Sequence, residues 1–78
     1  MPTVAGIGGY RFFFFSNEGN EPPHIHVESQ DQYAKFWLEP IGLAKSVGYH
    51  AAELTRLRKL VMEHRERFKE KWDAHFSR

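Results

Sequence analysis

His24-Ile25-His26 is the pair of residues best placed to do chemistry. On an extended strand, residues i and i+2 share a face about 6.5–7 Å apart, so both imidazoles point the same way. Glu28 follows on that face. Two histidines at this spacing converge on one ion without bending the backbone, which makes His24, His26 and Glu28 a candidate metal set. The same pair could serve as acid and base in phosphodiester cleavage, because imidazole titrates nearest neutrality. A third reading makes both of them surface strand residues that hydrogen-bond their neighbours. If instead they carry an activity, replacing either should leave folding intact, because Ile25 and Val27 carry the packing. The first two roles make His24 and His26 the candidate catalytic residues.

Around them lie cations and rings. Arg11 sits in the preceding apolar run and Lys35 in the following one. If the three runs pair in sequence order, Arg11, His24, His26 and Lys35 form a basic patch with Phe13 and Trp37. Stacked rings and cations suit single-stranded nucleic acid. A carboxylate-rich protein partner would suit them equally well. Further along, Arg58, Arg65 and Lys69 line one flank of an apolar stripe, as a solvated face or as phosphate contacts.

The elements that must position these groups can be read from pattern. Thr3–Ile7 and residues 10–15 are strand-like, joined by Gly8-Gly9, which supplies the positive φ of a tight hairpin. Residues 16–23 form a loop, 24–28 alternate with period two, and 33–38 make another strand that Pro40 stops. Ile41–Val47 is read as either a strand or an irregular crossing. From residue 51 the period changes to 3.6, with Leu54, Leu57, Leu60, Val61, His64, Phe68, Trp72, His75 and Phe76 on one stripe. No Gly or Pro interrupts residues 51–76, so one long helix is expected. The expectation is a single α+β domain over 1–78: an antiparallel sheet of three to five strands (3–47) and one C-terminal helix (50–76) packed on one face. At about 39 Å that helix outruns a six-residue strand, so its last turns should overhang the sheet or lie on a second subunit.

A single helix covers a single face. Phe13, Phe15 and Trp37 fall on the other side, where monomers rarely show a large apolar patch; either the loops and residues 41–47 fold over them, or, the preferred reading, they are interface residues. A second copy or a protein partner would also relieve the weakness of a 78-residue core. Zero cysteines exclude disulfides, thiolate metal sites and cysteine nucleophiles. The longest apolar run, 12–15, is far short of a membrane span. No signal-peptide pattern opens the chain, so a cytoplasmic protein is expected. The net charge of +1 divides into −2 over residues 1–50 and +3 over 51–78.

The runs Gly8-Gly9-Tyr10-Arg11-Phe12-Phe13-Phe14-Phe15-Ser16-Asn17-Glu18, Glu21-Pro22-Pro23-His24-Ile25-His26-Val27 and Ala34-Lys35-Phe36-Trp37-Leu38-Glu39-Pro40 together resemble a family. It comprises the small bacterial proteins grouped as domain of unknown function 4160. Members are often encoded beside a partner that joins a second domain to a helix-turn-helix, and some such pairs behave as type II toxin–antitoxin systems. The resemblance implies a growth-inhibiting toxin neutralised by a protein antitoxin; the basic and aromatic residues above add RNA as a candidate target. The alternative is a non-catalytic module that forms a homodimer or joins a DNA-binding partner. No cofactor is expected on either reading.

Overall fold

The computed structural model describes residues 3–76; the terminal residues of the expected 1–78 domain lie outside the described residues. Five strands, β1 (Thr3–Ile7), β2 (Tyr10–Phe13), β3 (His24–Ser29), β4 (Gln32–Leu38) and β5 (Ile41–Val47), precede helices α1 (Ala51–Glu63) and α2 (Arg65–Phe76). The sheet is an antiparallel meander in the order β1-β2-β3-β4-β5. Gly8 and Gly9 turn the first hairpin at φ +57° and +85°. Ile41–Val47, ambiguous from its sequence, is the full-length edge strand β5, reached through the two-residue turn Glu39-Pro40.

Period-two alternation sorts the two faces as their sequences require. Tyr10, Phe12, Ile25, Val27, Ala34, Phe36 and Leu38 meet Leu57, Val61, Phe68 and Trp72 of the helices in one buried core. Arg11, Phe13, His24, His26, Glu28, Tyr33, Lys35 and Trp37 occupy the opposite face, in cross-strand rows such as Phe13–His26–Lys35–Lys45. The expected pairing of strands two, three and four is present.

The long helix is broken in two at His64, which has φ −108° and ψ 13°. Its Nδ1 donates to the Leu60 carbonyl at 2.9 Å, the same oxygen that accepts its backbone N–H at 3.0 Å. A side chain competing within the i→i−4 ladder is a known cause of a kink. The kink corrects a second expectation. The last turns do not overhang: Phe68 stacks against Phe12 at 5.1 Å, and Phe14 from the loop after β2 meets Trp72 at 5.3 Å and Phe76 at 5.6 Å. A Cβ at Gly19 would lie 2.6 Å from a carbon of the Phe76 ring, so only glycine lets the loop seat there. The loop caps the end of α2.

Candidate functional site

Loop 14–23 also folds the other way, over the sheet face that the helices leave uncovered. It carries Glu18 onto the histidine pair. Glu18 Oε1 lies 2.9 Å from Nε2 of His26 and 2.9 Å from Nε2 of His24. The carboxylate is held in place by the Phe15 N–H, which donates to it at 2.9 Å. Tyr33, one strand over and diagonal to His26, has its hydroxyl 2.6 Å from His26 Nδ1. The Pro22 carbonyl lies 2.9 Å from His24 Nδ1. The ligating atoms of Glu18, His24 and His26 all fall within 4.8 Å of one another.

Hydrogen-bond accounting fixes most of the protons. A carboxylate only accepts, so in the cluster as it stands Nε2 of His26 donates to Glu18 and Nδ1 accepts from the Tyr33 hydroxyl. A carbonyl also only accepts, so Nδ1 of His24 carries its proton toward Pro22. His24 Nε2 is different. It is buried at ion-pair distance from Glu18 but off any hydrogen-bonding direction, and it has no hydrogen-bond partner. Among the described residues, Trp72 Nε1 is the other buried side-chain nitrogen without one.

The surroundings are aromatic. Phe13 stacks on His26 at 5.3 Å, Phe15 meets it edge-on at 5.0 Å, and Trp72 and Trp37 flank His24 at 4.7 and 5.7 Å. His24 is 0% exposed and His26 3%. Burial lowers the pKa of His26 below the ordinary imidazole value, and the Glu18 charge opposes this only in part. Burial would raise Glu18, but the Phe15 amide and the two imidazoles outweigh it and hold the carboxyl below its ordinary value. Tyr33 is pushed up by burial and then by the Glu18 and Glu21 charges.

The expected basic patch shares one face, but carboxylates cover it. Arg11 pairs with Glu28 across β2 and β3, Lys35 pairs with Glu21 at 2.9 Å, and both imidazoles face Glu18. Glu28, expected as the third ligand, is therefore engaged elsewhere, and Glu18 stands in its place. Glu18 is the residue that strand periodicity misses; Tyr33 lies on the expected face, and the register brings it diagonally to His26. The available signal was a carboxylate eight residues before His26 in the only long loop, since such a loop can fold back over its neighbour.

The three expected interface rings part company. Phe13 is only 2% exposed beneath Arg11, Phe15 and His26, Phe15 is 39% exposed, and Trp37 is half-buried under Lys35. The basic flank of the helices divides too. Arg65 Nε donates to the Leu38 carbonyl at 2.6 Å and Lys69 pairs with Glu39 at 3.1 Å, so both tie the helices to the β4–β5 turn. Arg58 instead stands exposed beside Phe36, Leu43, Leu54 and Thr55, which line a shallow groove between α1 and the β5 edge.

The profile of one family, a domain of unknown function (DUF4160), matches residues 9–73. The chain belongs to that family. Neither the curated proteins nor the solved structures hold a match to it. The matched span runs from the Gly8-Gly9 hairpin to the last turns of α2, so family membership covers the histidine pair, loop 14–23 and β5 alike. No described helix is long and apolar enough to cross a membrane.

Proposed function

We propose that this protein works by binding a protein partner, as the toxin half of a pair whose antitoxin holds it inactive. The partner docks along β5 and the groove beside it. The observation that supports this reading is the state of β5, an edge strand with five of its seven residues exposed. Leu43 is 43% and Val47 50% exposed, one on each face of that edge. An open edge offers a row of unpaired backbone groups to an added strand, and side-chain pockets beside it supply specificity. The groove of Phe36, Leu43, Leu54 and Thr55 ends in the Arg58 guanidinium. It fits an apolar segment that carries a carboxylate.

The enclosure of the histidines argues against phosphodiester cleavage by them, since a catalytic nitrogen must come within about 3 Å of the proton it moves. Growth inhibition on this reading comes from binding. RNA, as a target, would meet the exposed helix cations Arg56, Arg58, Lys59 and Arg67 rather than His24 and His26.

The test is inducible expression in a bacterial host, alone and with the product of the adjacent helix-turn-helix reading frame. The protein alone should slow growth and the pair should not. Leu43→Asp with Val47→Asp should keep the toxicity and lose the rescue. Growth unaffected by the protein alone, or rescue undiminished by the double variant, overturns the proposal. The homodimer alternative uses the same edge: light scattering would then show a dimer for the native chain and a monomer for the double variant.

A further inference from the structure

We propose that Glu18, His24 and His26 form a site for one divalent transition metal of the zinc class, which pins loop 14–23 onto β3. The proposal stands apart from the partner-binding reading and shares no residue with it.

Three observations carry it. The first is the donor set, two imidazole nitrogens and one carboxylate, which suits zinc and its first-row neighbours rather than calcium or magnesium. The second is spacing. Bonds of about 2.0–2.1 Å to one ion put neighbouring ligand atoms about 2.8–3.4 Å apart for octahedral to tetrahedral angles. The two nitrogen–oxygen separations here are 2.9 Å and the whole set lies within 4.8 Å, so the two imidazoles need to draw together by no more than about 2 Å to share the ion.

The third is the orphaned nitrogen of His24. Its Nδ1 proton is committed to the Pro22 carbonyl, and Nε2 is left buried without a hydrogen-bond partner, 2.9 Å from a carboxylate oxygen that lies to the side of its bonding direction. An ion on that nitrogen would bond the ring and the carboxylate together, in a pocket where the ring is fully enclosed. The outer shell is already of the kind metal-bound histidines use, a carbonyl or hydroxyl on the far nitrogen. Pro22 fills that role for His24. Tyr33 can fill it for His26, because a hydroxyl accepts as readily as it donates. The tautomer can then reverse, Nδ1 donating to Tyr33 and Nε2 turning free for the ion. Phe13, Phe15, Trp37 and Trp72 enclose the site and limit water. A metal here ties the loop that caps α2 to the centre of the sheet, which is the staple that a cysteine-free chain of this size lacks.

The experiment uses the full chain, stripped with a chelator and titrated with cobalt(II) and then zinc(II). One ion per chain should bind, cobalt should give a visible absorption band, and the melting temperature should rise. Nitrogen NMR of the native chain should move the Nε2 resonances of His24 and His26 on zinc addition. Glu18→Gln should weaken binding by at least the roughly 10–100-fold that an outer-shell loss costs, with an unchanged circular dichroism spectrum. Glu28→Gln should bind as the native chain does. No binding at millimolar cobalt, undiminished affinity in Glu18→Gln, or a His24 ring that stays protonated on both nitrogens in the presence of zinc would each overturn the proposal.

Discussion

The sheet face beneath loop 14–23 and the edge at β5 are built from similar residues and end in opposite states. Both offer apolar side chains and cations. Beneath the loop each cation has its own carboxylate, and Phe13 and the histidines are sealed by rings. At β5, Leu43 and Val47 stay exposed and Arg58 forms no ion pair among the described residues. The difference is one of coverage. The loop leaves β2 and returns to β3, so it covers those strands and ends at β4, where Glu21 takes Lys35. α1 packs beside β5 but leaves Leu43 and Val47 exposed. Interactions beneath the loop therefore stabilise the fold, while the apolar groups of the edge stay exposed.

That contrast breaks first at the buried side. Phe68→Ala should cost about 3–5 kcal/mol and Leu57→Ala about 2–4, as large-to-small core changes do. Each is a large share of the stability expected for a small domain. His24→Ala belongs with them, at about 2–4 kcal/mol, because the ring is fully enclosed between Trp37 and Trp72. The expectation that this histidine is expendable for folding fails for the same reason. Chemical denaturation of the three variants measures the losses. A His24→Ala variant as stable as the native chain would mean that the loop does not seal the face.

The second prediction concerns pH. His26 is held below its ordinary value of 6.5, so the unfolded chain binds that proton first. Its contribution to stability is full above about 6.5 and is lost as pH falls from there through the folded value. Glu18 is held below its ordinary 4.5, so its contribution is present above 4.5 and lost as pH falls through its own folded value. Both slopes run toward acid instability in the metal-free protein. Glu18→Gln should abolish the lower window and, by removing the charge that raises His26, extend the upper one toward acid. Melting temperatures from about pH 3 to pH 8 check this. A variant whose upper window narrows would separate Glu18 from His26.

Much of this molecule was legible in its sequence because its patterns are local. The Gly8-Gly9 turn, the alternation in β3 and β4, and the helical stripe each follow from neighbouring residues. What was not legible depends on contacts made at a distance. His64 looks like any residue of the apolar stripe until its ring finds the Leu60 carbonyl. Glu28 lies on the correct face for a ligand, yet the register sets it opposite Arg11. Glu18 reaches the histidines only because a loop of otherwise plain turn residues folds over β3. Ile41–Val47 reads ambiguously because an edge strand exposed on both faces keeps little of the alternation that burial imposes on β3 and β4.

The smallest expected effect is at the open edge, and it sharpens the comparison most. Leu43→Lys and Val47→Lys each remove an exposed apolar side chain, so the folded chain should shift by no more than about 0.5 kcal/mol. Leu43 does pair with Phe36 across the sheet, so its loss should be the larger of the two. Lys45 already places one charge on this strand, and a bulge interrupts its pairing with β4 between Lys35 and Phe36. Natural edges carry both devices against unwanted strand pairing. Added lysines extend that defence and should leave solubility unchanged or better, while any partner that adds a strand there loses its apolar contacts and meets new charge. Paired measurements decide the matter: thermal melting for the fold, and co-purification with the proposed antitoxin for the partner. Unchanged melting with lost co-purification is the expected pair of results. A fall in stability comparable to that of Leu57→Ala would show that β5 belongs to the core and that the two regions differ less than their exposure suggests.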